Sequence, residues 1–273
     1  MTIERIAADH EHVRAATDDP VEGAVTITID RPEARNALDG TVRRELKALC
    51  AAIDDPDGEE DVRVVVLTGS DESGAFVAGA DVEDLRDRNY REQRRASERP
   101  RVYEAVADLR QPVVARINGH ALGGGCELAQ ACDVRIAHED ATLGQPEIGL
   151  GLIPGGGATQ RLPRLVGEGQ AMRLILTGEL IDAAEAAEIG LVDEVCEEGE
   201  FDDRVSDLAG SIAEKSPVAL EHAKRAVRAG SRMGLDDGIE YEAELFAGLF
   251  ATGTPQEGID AFLEDRDPEW NER

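Results

Sequence analysis

The sequence predicts an α/β fold: a mixed core through residue 200, then a helical region from Phe201 to the end. Three observations carry that prediction. Val62–Thr68 and Pro112–Ile117 are nearly continuous apolar runs, the pattern of strands buried on both faces beneath covering helices. Segments with apolar residues at three- and four-residue steps alternate with them, which is helical spacing. From Ala158 onward the pattern is almost wholly helical, with breaks at Gly178, Gly190, Pro217, Gly230 and Pro255.

Taken in order, the residues through Pro20 are polar without a clear period and read as an irregular edge. Ala24–Asp30 is β-branched and alternating, a strand that stops at Arg31-Pro32. Val42, Leu46, Leu49 and Ile53 mark a helix over Thr41–Ile53. The Val62–Thr68 strand leads through a Gly/Ser loop into two charged helical stretches, Val82–Arg95 and Arg99–Leu109. Pro112–Ile117 is followed by a glycine-rich turn and a helix over Gly124–Cys132. Val134–Ala137 and Ala141–Leu143 read as short strands, and Leu191–Val195 as the one strand within the helical part. No repeat of solenoid period occurs.

Composition excludes several classes. The chain carries 58 acidic against 29 basic residues, a net charge of −29, which repels nucleic acid phosphates. Only Lys47, Lys215 and Lys224 are lysines. Acidic residues crowd two loop-like segments, Asp54–Asp61 and Glu197–Asp203. So acidic and lysine-poor a surface suits concentrated salt, where self-repulsion is screened and hydrated carboxylates keep the protein dissolved. That points to a halophilic cytoplasm. The opening residues lack a basic segment followed by an apolar one, so export is not expected, and no aliphatic run is long enough to span a bilayer. Cys50, Cys126, Cys132 and Cys196 form no CxxC pair and read as reduced, buried thiols.

There is no GxSxG elbow, no GxxxxGK[ST] phosphate loop, and no metal-ligand spacing among the five histidines and the cysteines. Gly149–Gly155 contains an internal proline and lacks the strand-then-helix setting of a dinucleotide fingerprint. Two glycine-rich turns and two glutamates remain. Asn118–Leu128 follows a buried strand and opens a helix, so backbone N–H groups there are free to face a developing oxyanion. Phe76–Asp81 is a second such turn, and two donors from two turns are what an oxyanion hole needs. Glu127 opens its helix, and Glu147 lies in Gln145-Pro146-Glu147. Either alone could be structural, Glu127 complementing a helix dipole and Glu147 a loop residue after proline. As a pair in apolar, glycine-rich surroundings they point to acid–base work.

These residues, with Asp30-Arg31-Pro32, Ile153–Leu162, Leu176-Thr177-Gly178 and Ala187–Val195, resemble the enoyl-CoA hydratase (crotonase) family over nearly the whole chain. The resemblance implies a spiral of ββα turns with a C-terminal helical trimerisation region, residues 201–273, assembling as a homotrimer or dimer of trimers. It implies a hydro-lyase that adds water to a trans-2-enoyl-CoA, with no cofactor beyond the coenzyme A of the substrate and no metal. By resemblance, Ala78 and Gly124 supply the oxyanion hole, Glu127 activates water, Glu147 delivers the proton to C2, and Gly155 positions the water. The same resemblance places CoA along Arg31, Arg35, Ala37 and the Ala78-Gly79-Ala80-Asp81 turn, with Phe262 and Arg266 reaching a neighbour's CoA. The lysines common near that last helix are replaced by Asp265 and Asp267. Relatives that only shift a double bond usually keep one glutamate or neither, so the pair favours hydration over isomerisation. An RNA-binding role, as in some relatives, is disfavoured by the charge.

Overall fold

The computed structural model describes residues 2–55, 57–58 and 60–270; Pro56 and Glu59 of the acidic loop lie outside the described residues, as does Met1 of the opening segment. The chain begins with a helix α1 (Ile3–Ala8), a strand β1 (Val13–Thr17), a strand β2 (Ala24–Ile29) and a helix α2 (Gly40–Ile53). Then come β3 (Val64–Gly69), β4 (Ala75–Val77) and three short helices, α3 (Val82–Arg86), α4 (Tyr90–Ala96) and α5 (Val102–Ala107). β5 (Val113–Ile117), β6 (His120–Leu122), α6 (Gly124–Ala129), β7 (Val134–His138) and β8 (Thr142–Gly144) complete the strand-rich part. The remainder is α7 (Ala158–Thr177), β9 (Leu180–Asp182), α8 (Ala183–Glu188), β10 (Glu194–Cys196), α9 (Phe201–Ala213), α10 (Pro217–Gly230), α11 (Leu235–Leu249) and α12 (Thr254–Glu264).

Two sheets form, one ordered β1-β2-β3-β5-β7-β10 and the other β4-β6-β8-β9. Successive turns of chain lay one strand in each: β3 then β4, β5 then β6, β7 then β8, with helical segments between the first two pairs and the next. That is the expected ββα spiral. All pairings are parallel except at the edges, where β1 joins β2 and β9 joins β8 antiparallel. Strand alternation divides the core. Val65 and Leu67 of β3 face a large cluster with Leu46, Leu49 and Val106, while Val64 and Val66 face Phe201, Val205 and Ala209 of α9. α9, the first helix of the region that begins at Phe201, therefore covers the outer face of the six-stranded sheet.

The amino-terminal segment departs from its expected irregularity. Ile3 and Ala7, one helical turn apart, are buried, and β1 extends the sheet. Between Val13 and Thr17 the central Arg14, Ala15 and Ala16 carry little strand preference, so β1 takes its conformation largely from the open edge of β2. Its entry is fixed by buried Glu45, whose carboxylate accepts the backbone N–H groups of Glu11, His12 and Val13 at 2.8, 2.9 and 3.1 Å. Three further departures are short strands read as turns or helix: β4, β6 and β9. Each has three residues, too few for a period to register. The expected Gly124–Cys132 helix stops at Ala129, and the four cysteines are free and buried. Among the described residues no helix is long and apolar enough to cross a membrane.

Candidate active site

β4, β6 and β8 lie side by side and parallel, so the turns after them open at the same end of the sheet. Those turns are Ala78–Asp81, Gly123–Gly125 and Gln145–Leu150. Strand ends of this kind, where parallel strands deliver loops together, are the usual place for a site in α/β folds. Glycine makes the middle turn possible. Gly123 stands at φ +48°, and a methyl group on Gly125 would lie 1.9 Å from the Val77 carbonyl oxygen, so α6 can pack directly on β4 only without a side chain there.

Glu127 is carried inward by α6 and is only 2% exposed. Its Oε1 accepts the N–H of Gly156 at 2.6 Å and of Ala158 at 3.0 Å. Burial pushes its pKa upward, against those two N–H donors and the nearby Arg101 charge. The loop that supplies the N–H groups is itself held: Arg101 donates to the Gly155 carbonyl, and Arg161 Nη1 donates to the Gly156 carbonyl at 3.1 Å. Arg101 is steadied in turn by Glu104, with Nε donating to Oε2 at 3.0 Å. The N–H of Gly155 makes no hydrogen bond among the described residues.

Glu147 is the second residue of a short 3-10 helix over Pro146–Leu150, and its side chain reaches back over the middle turn. A methyl group on Gly123 would lie 2.9 Å from its Oε1. Beneath it sits fully buried Gln145. With its amide oriented to satisfy both neighbours, Gln145 Nε2 donates to the Glu147 carboxylate at 3.2 Å and its oxygen accepts from Gln130 Nε2 at 3.1 Å. Burial first, and then the Glu127 charge, raise Glu147 to about 7, opposed by its own backbone N–H.

The two expected oxyanion donors fare differently. Gly124, at the first helical position, has an N–H with no intrahelical partner, and it makes no other bond among the described residues. The Ala78 N–H, by contrast, donates to the Arg35 carbonyl at 3.0 Å, so it is already engaged within the protein. This corrects the expectation for Ala78. Gly79 follows at φ +117°, which breaks strand alternation, and the next N–H, that of Ala80, makes no bond among the described residues. The Ala80 nitrogen lies 3.3 Å from where a Gly124 methyl would stand. Ala80 and Gly124, rather than Ala78 and Gly124, therefore present free donors to a common space.

The residues expected to hold CoA divide as well. Arg31 Nη1 bonds Asp81 Oδ2 at 2.8 Å, lies 3.8 Å from Asp39 and donates to the Ala37 carbonyl at 3.3 Å. That arginine ties the 31–38 loop to the Ala78–Asp81 turn, and Asp81 also caps α3 through Glu83 N–H. Its charge is largely answered from within. Arg35 is exposed, adopts φ +50°, and its side chain makes no ion pair or hydrogen bond among the described residues. Phe262 is 84% exposed, and Arg266 is paired with Glu257 and Glu264. No hydrogen bond or ion pair among the described residues links either to the glycine turns.

Residues 20–273 match the family described as Enoyl-CoA hydratase/isomerase. The chain belongs to this family. A short-chain-enoyl-CoA hydratase of Clostridium acetobutylicum is 41% identical over 247 residues, covering 90% of this chain and 93% of its own. A crotonyl-CoA hydratase of Syntrophomonas wolfei is 42% identical with the same coverage. The crystal structure of an enoyl-CoA hydratase from Bacillus anthracis superposes with a TM-score of 0.89 at 39% identity, covering 96% of this chain and all of that one. The enoyl-CoA hydratase/isomerase fold is thus present throughout the two sheets and the turns between them.

Reading the sequence alone missed Ala80 as a donor, together with Arg101, Arg161 and Gln145. Only Gln145 had a signal, its place beside Pro146-Glu147. The arginines lie in helical stretches whose exposed faces are rich in arginine, and nothing in their spacing marks them.

Proposed function

We propose that this chain is an enoyl-CoA hydratase, adding water to a trans-2-enoyl-CoA to give a 3-hydroxyacyl-CoA. The observation that carries the reading is two glutamates beside two free backbone donors, with the carboxylates in different environments. Addition of water needs a group that takes a proton from water at C3 and one that gives a proton to C2. Glu127 suits the first role. Its Oε1 is occupied by two N–H groups, leaving Oε2 to accept from water, and the free Gly155 N–H can hold the same water. Glu147, raised to about 7, is substantially protonated near neutral pH and suits the second. The thioester oxygen would lie between Ala80 and Gly124, whose N–H groups stabilise the enolate formed as water adds.

At the CoA end, Arg35 is the free cation on the loop beside the Ala78–Asp81 turn and the better phosphate partner than Arg31. Exposed Val227, Leu235, Phe246, Phe250, Phe262 and Leu263 on and around α10–α12 support assembly of the C-terminal helices into a homotrimer or dimer of trimers. The acidic, lysine-poor surface supports work in a salt-rich cytoplasm.

The deciding experiment supplies crotonyl-CoA with water as the only co-substrate and follows absorbance of the conjugated thioester. The expected result is loss of that absorbance with formation of 3-hydroxybutyryl-CoA. No loss, together with conversion of a 3-enoyl-CoA into its 2-enoyl isomer, would overturn hydration in favour of isomerisation.

A further inference from the structure

α5 brings one more polar group to this site, the Tyr103 hydroxyl. Tyr103 is 7% exposed, and its ring is wedged between two glycines. A methyl on Gly156 would lie 2.4 Å from its Cε2 and Cζ, and a methyl on Gly124 would lie 2.9 Å from its Oη. The same Gly124 methyl position is 3.3 Å from the Ala80 nitrogen. The hydroxyl and the Ala80 nitrogen thus both border Gly124, whose own N–H is free among the described residues. The hydroxyl makes no hydrogen bond to any described residue, although a buried tyrosine O–H ordinarily finds a partner. Burial and the nearby Glu127 charge push its pKa upward, so the group stays a neutral O–H donor. Nothing in the core packing calls for a hydroxyl here, since phenylalanine would fill the same space between the glycines.

Resting on the hydratase reading above, we infer that the Tyr103 hydroxyl is a third hydrogen-bond donor to the thioester oxygen, joining the N–H groups of Ala80 and Gly124. A donor fixed by packing before the reaction loses little to reorganisation as charge develops on that oxygen, so its effect falls on the transition state. Oε2 of Glu127 and the Tyr103 ring both border Gly156, so the ring has no room to shift on that side.

The test is Tyr103→Phe, which keeps the ring and removes only the oxygen. Wild-type hydration is measured first; its absence would undo the hydratase reading, and the carbonyl readout below, which needs no turnover, then decides Tyr103 by itself. With an active wild type, kcat for crotonyl-CoA is expected to fall by about 100-fold, the scale of one lost oxyanion donor, with KM changed far less. The second readout is the infrared carbonyl stretch of bound butyryl-CoA, a saturated thioester that cannot be hydrated. In the wild type, hydrogen bonding lowers that frequency, and in Tyr103→Phe part of the lowering should be lost. Unchanged kcat would overturn the inference. So would a reduced kcat with an unchanged carbonyl frequency, which would place the hydroxyl on the attacking water instead. A circular-dichroism melt matching wild type excludes a folding defect, and if the phenylalanine variant melts early, the carbonyl frequency of the folded fraction at low temperature still decides.

Discussion

The two glutamates sit in one site on two differently built supports. Glu127 rides a helix and is gripped by the Gly156 and Ala158 N–H groups, with Arg101 and Arg161 holding the loop from behind. Glu147 rides a short 3-10 helix, bears among the described residues only its own backbone N–H and a side-chain amide, and lies beside a second carboxylate. Burial raises both; at Glu127 several donors and the Arg101 charge oppose the rise without reversing it, while at Glu147 only its own backbone N–H opposes it and the Glu127 charge adds to it. On the roles proposed above, the contrast teaches how one fold could give opposite proton duties to identical side chains. Backbone N–H groups favour a carboxylate kept ionised as a base, and their scarcity favours a carboxyl kept protonated as an acid.

The largest expected effects come from removing each acid group in turn. Glu127→Gln and Glu147→Gln should each lower hydration by about 10²–10⁴-fold, the range for a general acid or base. They should part company on a saturated acyl-CoA in D₂O. Exchange at C2 needs only the proton carrier, so it should persist in Glu127→Gln and vanish in Glu147→Gln. Equal exchange in both variants, followed by mass spectrometry, would break the division of roles.

A smaller effect is read from pH. Because the proton donor is lost as Glu147 ionises, kcat/KM for hydration should decline above about 7, approaching about tenfold per pH unit well above it. A flat profile from pH 6 to 9 would show that Glu147 is not the acid.

The smallest effect concerns stability. A carboxyl raised in the folded state binds more protons folded than unfolded, so stability falls as pH climbs from the ordinary glutamate value toward about 7. Above that point the folded chain carries the full cost of a partly buried charge. Glu147→Gln removes it and should stabilise the protein at pH 8 by about 1–2 kcal/mol after allowance for solvent, with little gain at pH 4. Thermal melts at the two pH values check this, and a gain that does not depend on pH would contradict it.

Much of the fold was legible because long apolar runs and helical periods report themselves. Val62–Thr68, Pro112–Ile117 and the α2 stripe of Val42, Leu46, Leu49 and Ile53 all fold close to where their patterns predict. What escaped notice were segments whose conformation is imposed from outside. β1 follows the edge of β2 and the Glu45 carboxylate, and β4, β6 and β9 are too short for a period of two to register.

The same boundary runs through the site. Residue type and local motif determined the two glutamates, the glycine turns and the family, because those depend on which atoms are present and on backbone conformations that glycine alone allows. Which N–H is free depends on what lies opposite it. Arg35 and Leu38 come from a different loop, so only the tertiary structure decides that the Ala78 N–H is taken and the Ala80 N–H is left open. It likewise decides that Tyr103 stands at Gly124 and that Arg101 and Arg161 hold the Glu127 loop. Those are contacts between segments distant in the chain, and no local pattern encodes them.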